Sequence, residues 1–165
     1  MTEHEAPIGR MSPVLYEQLF VCERLQGRMH AARHKILAYK PGEAWKKIDY
    51  RVDIERQTAT CLGVAFRLLS DFAWLRAFGR DTLVIRLGWV LDQSSGAPVV
   101  LAQMAVTEDG TVMNLGSPSI KSAMDNAEDT QRLLDTFFVN LLEAVAGVLP
   151  VVDLSSPANA APPAT

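Results

Sequence analysis

The sequence predicts an α+β domain: an N-terminal helix, an antiparallel sheet ending in a three-stranded meander, and a long C-terminal helix, with the helices packed on one face of the sheet. Three observations carry this expectation. Apolar residues recur at three- and four-residue steps near both ends of the chain, alternating and turn-rich segments fill the middle, and an Asp-Gly pair separates two strand-like runs.

The first helix is expected from Pro13 to Ala38. Ser12 suits the N-cap and Pro13 the first helical position, where a missing N–H costs nothing. Leu15, Leu19, Cys22, Leu25, Met29, Ala32 and Ile36 form one stripe. Gly27 interrupts it, a residue that permits close approach of another helix. Lys40-Pro41-Gly42 ends the segment. Residues 44–57 fit two descriptions. Ile48, Tyr50, Val52 and Ile54 alternate with Asp49, Arg51, Asp53 and Glu55, as in a strand wet on one face. Trp45, Ile48 and Val52 also keep helical spacing with Ala59, Leu62 and Phe66. Strict alternation favours the strand. Ala59 to Phe78 is expected to be helical through Leu62, Phe66, Leu69 and Ala73, with Gly79 closing it in the left-handed conformation. A buried strand over Cys61–Leu69 is the competing description of that apolar run.

Strand character then takes over. Thr82–Leu91, Pro98–Thr107 and Thr111–Leu115 read as three antiparallel strands, the last two joined by Glu108-Asp109-Gly110 in a type I′ turn. Gly116-Ser117-Pro118 breaks the run. The last helix is expected from Ala127 to Val148, with Asp125, Glu128 and Asp129 opposing the helix dipole. Its face of Leu133, Leu134, Phe137, Phe138, Leu141, Leu142 and Val145 is wide enough for more than one neighbour: the sheet and first helix together, or a second subunit. Residues 1–11 are expected to be a flexible lead, 12–150 a single domain, and 151–165, rich in Pro, Ala and Ser, a disordered tail.

Composition narrows the function classes. The chain of 165 residues is 48% hydrophobic with a net charge of −3, which excludes disorder as its main state. No uninterrupted apolar stretch is long enough to span a bilayer, and the N-terminus lacks the order of a secretory signal, so a cytoplasmic location is expected. Cys22 and Cys61 sit in apolar surroundings and read as buried thiols. A mean hydropathy of +0.08 is high for a chain wetted on every side, and surplus apolar surface points to a partner or an oligomer.

Catalytic patterns are missing: there is no Gly-x-Ser-x-Gly, no Walker loop and no Gly-x-Gly-x-x-Gly. Ser117 reads as part of a turn. Asp49 and Asp53 share a strand face with Arg51 between them, which makes a surface salt-bridge ladder. His30 and His34 are four apart on one helix, a weak metal pair without a third ligand and set among Arg28, Arg33 and Lys35. Residues 24–56 hold nine cations against four acids, a net +5, while the chain from Asp81 onward carries a net −7. Blocks of opposite sign steer partners, and Arg24, Arg28, Arg33, Lys35, Lys46 and Lys47 are the candidates for contact with nucleic acid or an acidic partner. Trp74 and Phe78 fall on a different side of their segment from Leu69 and Ala73, leaving an aromatic face to be covered.

The helix–sheet–helix order, the sequence pI of 5.6 and the apolar surplus resemble those of small bacterial chaperone or adaptor proteins. The expected function is a non-catalytic protein-binding or assembly protein without a cofactor, dimeric, meeting its partner through Trp74, Phe78, Phe137 and Leu141. One alternative is a nucleic-acid accessory protein using the basic segment. The other is a small-molecule protein or enzyme, with a pocket between meander and last helix gathering His30, His34, Tyr50 and Gln103.

Overall fold

The computed structural model describes residues 13–77, 79–115, 121–123 and 126–152. Helix α1 (Pro13–Ala38) leads through a 3₁₀ turn (Glu43–Trp45) into seven strands, and helix α2 (Ala127–Val148) comes after them. The strands are β1 (Arg51–Asp53), β2 (Thr58–Cys61), β3 (Val64–Ala77), β4 (Arg80–Leu91), β5 (Val99–Val106), β6 (Thr111–Asn114) and β7 (Lys121–Ala123). They form one antiparallel sheet in chain order, β1 to β7, so every pairing joins consecutive strands. The class is α+β, as the sequence predicts. Ser12, Phe78, Ser117 and Asp125, the N-terminal lead and most of the C-terminal tail lie outside the described residues.

Both helices have the predicted bounds. Asn126 caps α2 by accepting from the Glu128 and Asp129 N–H groups at 2.9 and 3.4 Å. The wide face of α2 is consumed inside the chain: Leu133, Leu134, Phe137, Phe138, Leu141 and Val145 are buried against the inner face of the sheet. That face presents Ile85, Leu87 and Trp89 of β4, Met104 and Val106 of β5, Val112 of β6, and Phe66 and Leu68 of β3. Phe66 meets Trp89 edge-on at 5.3 Å. Leu25, Ala32, Ile36 and Leu37 of α1 close the same core, but Leu19, expected in the stripe, is 46% exposed.

The predicted helix over 59–78 is instead a hairpin. Leu62 and Gly63, with φ of 51° and 77°, make the two-residue turn between Cys61 and Val64, and β3 then continues to Ala77. Ala, Leu and Arg favour a helix there by propensity, but pairing along the whole of β4 overrides it. The competing description of Cys61–Leu69 as a strand is closer. Gly79 has the left-handed φ expected of it, at 73°, between paired Ala77 and Arg80. Alternation across 48–53 places Ile48, Tyr50 and Val52 against the core, though only residues 51–53 pair as a strand and Ile54 is 59% exposed.

The β5–β6 turn differs from the type I′ expectation. Gly110 alone has a positive φ, 85°, its N–H donates to the Thr107 carbonyl, and Thr107 N–H donates to the Thr111 carbonyl. This is a type I turn closed by a glycine bulge. Asp109 organises it by accepting from the Thr107 hydroxyl and, at 3.0 Å, from the Thr111 N–H. These bonds hold the Asp109 carboxyl below its ordinary range. The turn also seats α1: Arg24 pairs with Glu108, and the Arg28 guanidinium lies where a Cβ on Gly110 would stand. Next to the core, Gly88 lets β5 come close, because a Cβ there would meet the Ala102 carbonyl oxygen at 2.7 Å. A register shift follows between Trp89 and Val90, where Leu101 is the extra residue on β5.

Three outcomes are expected in urea denaturation. Asp109 contributes stability above the carboxylate range and loses it as pH falls through its lowered value, so Asp109→Asn destabilises at neutral pH and matches the parent chain in acid. Gly88→Ala forces β5 away and costs about 1–3 kcal/mol. Gly27 faces open space, contrary to the helix–helix contact expected of it, so Gly27→Ala stabilises by about 0.5–1 kcal/mol.

Candidate functional site

The two longest strands overrun their neighbours. Pairing of β4 with β5 begins at Ile85, so among the described residues Arg80–Val84 pair with β3 alone. On the other side β2 pairs with residues 64–67 of β3, and the Leu68 N–H donates to the Gln57 carbonyl at 2.8 Å. Among the described residues, β3 has no strand on this side from Leu69 to Ala77. The result is a two-stranded arm projecting from the sheet.

Helix α1 overhangs in the same direction. Ile36 and Trp89 border the same small cavity, whereas Arg24 and Arg28 sit at the β5–β6 turn. From Ile36 to Arg28 the helix advances about 12 Å, and from Trp89 to Ile85 the strand covers about 13 Å, so α1 runs along β4 toward the arm. Residues 13–23 therefore extend about 16 Å beyond the turn, as do Arg80–Val84. At about 3.6 residues per turn, Leu19 and Cys22 lie on the side of α1 opposite Arg24 and Arg28, which is the side of β3. Phe72 and Trp74 pair with Ile85 and Leu83 and thus belong to the inner face of the sheet. They leave an exposed apolar surface on that face of the arm, and Leu19 is exposed on the overhanging part of α1.

Exposure is high here. Trp74 is 62% exposed, Tyr16 50%, Leu19 46%, Phe20 42% and Phe72 40%. Tyr16 and Phe20 stack edge-on at 4.7 Å on the outward side of α1. Paired charges stand close to the patch. Asp71 and Arg86 form a bidentate pair at 2.9 and 2.5 Å on the outer face, and Arg76 pairs with Asp81 at 2.9 Å. Both guanidinium groups are held above their ordinary range by the carboxylates bonded to them.

Of the predicted partner residues, Trp74 lies in this patch. Phe137 and Leu141 do not, being 3% and 1% exposed within the core. Leu19, Phe20 and Phe72 escape a reading of the sequence because their exposure comes from strand and helix lengths. The sequence runs Thr82–Leu91 and Pro98–Thr107 are equal in length, whereas β4 in the structure outruns β5, so the overhang has no clear signal in the sequence.

The basic segment is divided. Arg24 pairs with Glu108, Lys46 with Glu43, Arg51 with Asp49 at 2.7 Å and Arg56 with Asp53 at 3.8 Å. Arg28 and Lys35 share the Arg24 side of α1, half-buried Arg33 is on the other, and Lys47 is exposed after the 3₁₀ turn. The predicted acidic ladder is therefore two local ion pairs, Arg51 serving Asp49 alone. His34, Lys35, Tyr39, Lys40, Thr130 and Gln131 line an open groove of about 460 Å³ beside the start of α2. The acids Glu128 and Asp129 in the first turn of α2 offset its positive end. His30 and His34 are exposed, and among the described residues no group of three or more His, Cys, Asp and Glu is placed to hold a metal.

The pocket expected between sheet and last helix is filled by side chains. Ile36, Tyr39, Tyr50, Trp89, Phe137 and Phe138 surround a cavity of about 10 Å³, the size of one water. Tyr50 is there, but Gln103 pairs with Gly88 on the opposite face and both histidines are outside. Burial pushes the Tyr50 phenol well up, and it raises Tyr39 together with the 2.7 Å bond from its hydroxyl to Asp135. Burial likewise raises the Cys61 thiol, which argues against a reactive thiolate. No described helix is long and apolar enough to cross a membrane. Compared with protein-family models, curated proteins and solved structures, the chain matches none.

Proposed function

We propose that the protein is a non-catalytic protein-binding or assembly module, adaptor- or chaperone-like, that works as a homo-oligomer. The observation that carries this reading is the exposed apolar surface of the overhanging part of α1 and of the β3–β4 arm, where Tyr16, Leu19, Phe20, Phe72 and Trp74 stand 40–62% exposed. A patch of exposed aromatic and aliphatic side chains has the composition of a binding surface. The filled interior supports the non-catalytic part of the reading, because the polar groups expected to converge on a pocket are dispersed over both faces of the sheet. A cytoplasmic location belongs to the same reading.

Sedimentation velocity across the micromolar range tests it. The parent chain is expected to sediment as an oligomer. Leu19→Ser with Trp74→Ser raises the dissociation constant by about 30-fold or more, the loss of one aromatic anchor of about 2 kcal/mol, without lowering the thermal midpoint. A parent chain that is monomeric throughout sinks the reading.

A further inference from the structure

Resting on the assembly reading above, we propose that the open edge of β3 pairs antiparallel with β3 of a second copy of this chain, about a two-fold axis at Trp74, so that two seven-stranded sheets become one. The backbone polarity of the edge is fixed by the strands already paired to it. In an antiparallel strand the N–H and C=O of one residue point to the same side and those of the next to the other. The Leu68 N–H points toward β2, to Gln57, so the N–H and C=O groups of Ser70, Phe72, Trp74 and Arg76 point out from the same edge. Natural edges of this length are guarded by Pro, bulges or unpaired inward charges. Residues 69–77 contain no Pro and no Gly, and their two charges are neutralised across β3–β4 by Arg86 and Asp81.

Such an edge is self-complementary under a two-fold axis. Because side chains alternate between faces, a residue meets one of the same parity, which limits the registers. An axis at Ala73 would bring the partner's chain reversal level with Gln57, which already occupies that lane beside Leu68. Moving the axis to Trp74 clears it. There Phe72, Trp74 and Arg76 donate and accept in three reciprocal pairs. Trp74 meets its own copy on the inner face, and each Phe72 ring lies opposite the partner's Arg76, a pairing that favours a cation over an aromatic face. Ala73 meets the partner's Leu75 on the outer face. Phe72 and Trp74 of the two copies then form one continuous apolar surface on the inner face of the joined sheet.

Disulfide trapping reads this register. Ala73 and the partner's Leu75 form a non-hydrogen-bonded pair with Cα atoms about 4.5 Å apart, within disulfide range. Identical positions lie two residues out of register, about 8 Å apart and beyond reach. On mild oxidation the double variant Ala73→Cys with Leu75→Cys is expected to run as a covalent dimer that a reductant dissolves. Each single variant, and the parent chain with Cys22 and Cys61, is expected to remain monomeric on the same gel. A covalent dimer from Ala73→Cys alone, or none from the double variant while the parent chain sediments as an oligomer, overturns the edge pairing and leaves the assembly reading standing. A parent chain monomeric in sedimentation, as when the edge is taken by another part of the same chain, overturns both.

Discussion

Burial of α2 on the inner face of β5, closing one core with the inward side chains of β4, is the contact on which the rest of the structure depends. Ile85, Leu87, Trp89, Met104 and Val106 meet Leu133, Phe137, Phe138 and Leu141, all nearly inaccessible to solvent. Each such side chain contributes about 1.5–3 kcal/mol when taken out of water. The contact also fixes register, because a shift of one residue in β4 would turn Trp89 outward and bring Arg86 into the core. Gly88 belongs to the same constraint: without a Cβ it admits the β5 backbone.

The position of α1 is secondary to that contact. Leu25, Ala32, Ile36 and Leu37 fill what α2 leaves, and Arg24 and Arg28 fasten the helix to the β5–β6 turn. The covered area ends where β5 ends, while β3 and β4 run on. The exposed apolar surface is thus a consequence of element lengths. Buried Asn114, accepting from Asn140 at 3.3 Å, ties β6 to α2 at the opposite part of the core with a directional bond.

The helices are legible in the sequence because their signals are local. Pro13, the 3.6-residue stripe, and Glu128 and Asp129 in an acidic first turn mark the helices that the structure has. The strands 80–91, 99–106 and 111–114 are legible for the same reason, being bounded by turn residues. Residues 58–77 are not. Leu69 and Ala73 on the outer face are apolar like Phe66 and Leu68 on the inner one, so the period of two is blurred, and the turn at Leu62-Gly63 uses a leucine where Asn or Asp would have announced it. β7 is only three residues long and owes its existence to pairing with β6. At the candidate site Trp74 is legible as an aromatic without a core partner. Phe137 and Leu141 mislead because an apolar helix face looks the same whether a sheet or a second chain covers it.

The meander has a consequence for how the molecule is made. Every strand pairs with its sequence neighbour, so each loop that must close is short and the sheet can zip together from any hairpin. Helix α1 is the exception: it leaves the ribosome dozens of residues ahead of β4 and β5, the strands it rests on. Its greasy stripe has to wait in solution for them. The order of synthesis, more than the stability of the finished fold, therefore decides when this chain is most vulnerable to sticking to its neighbours.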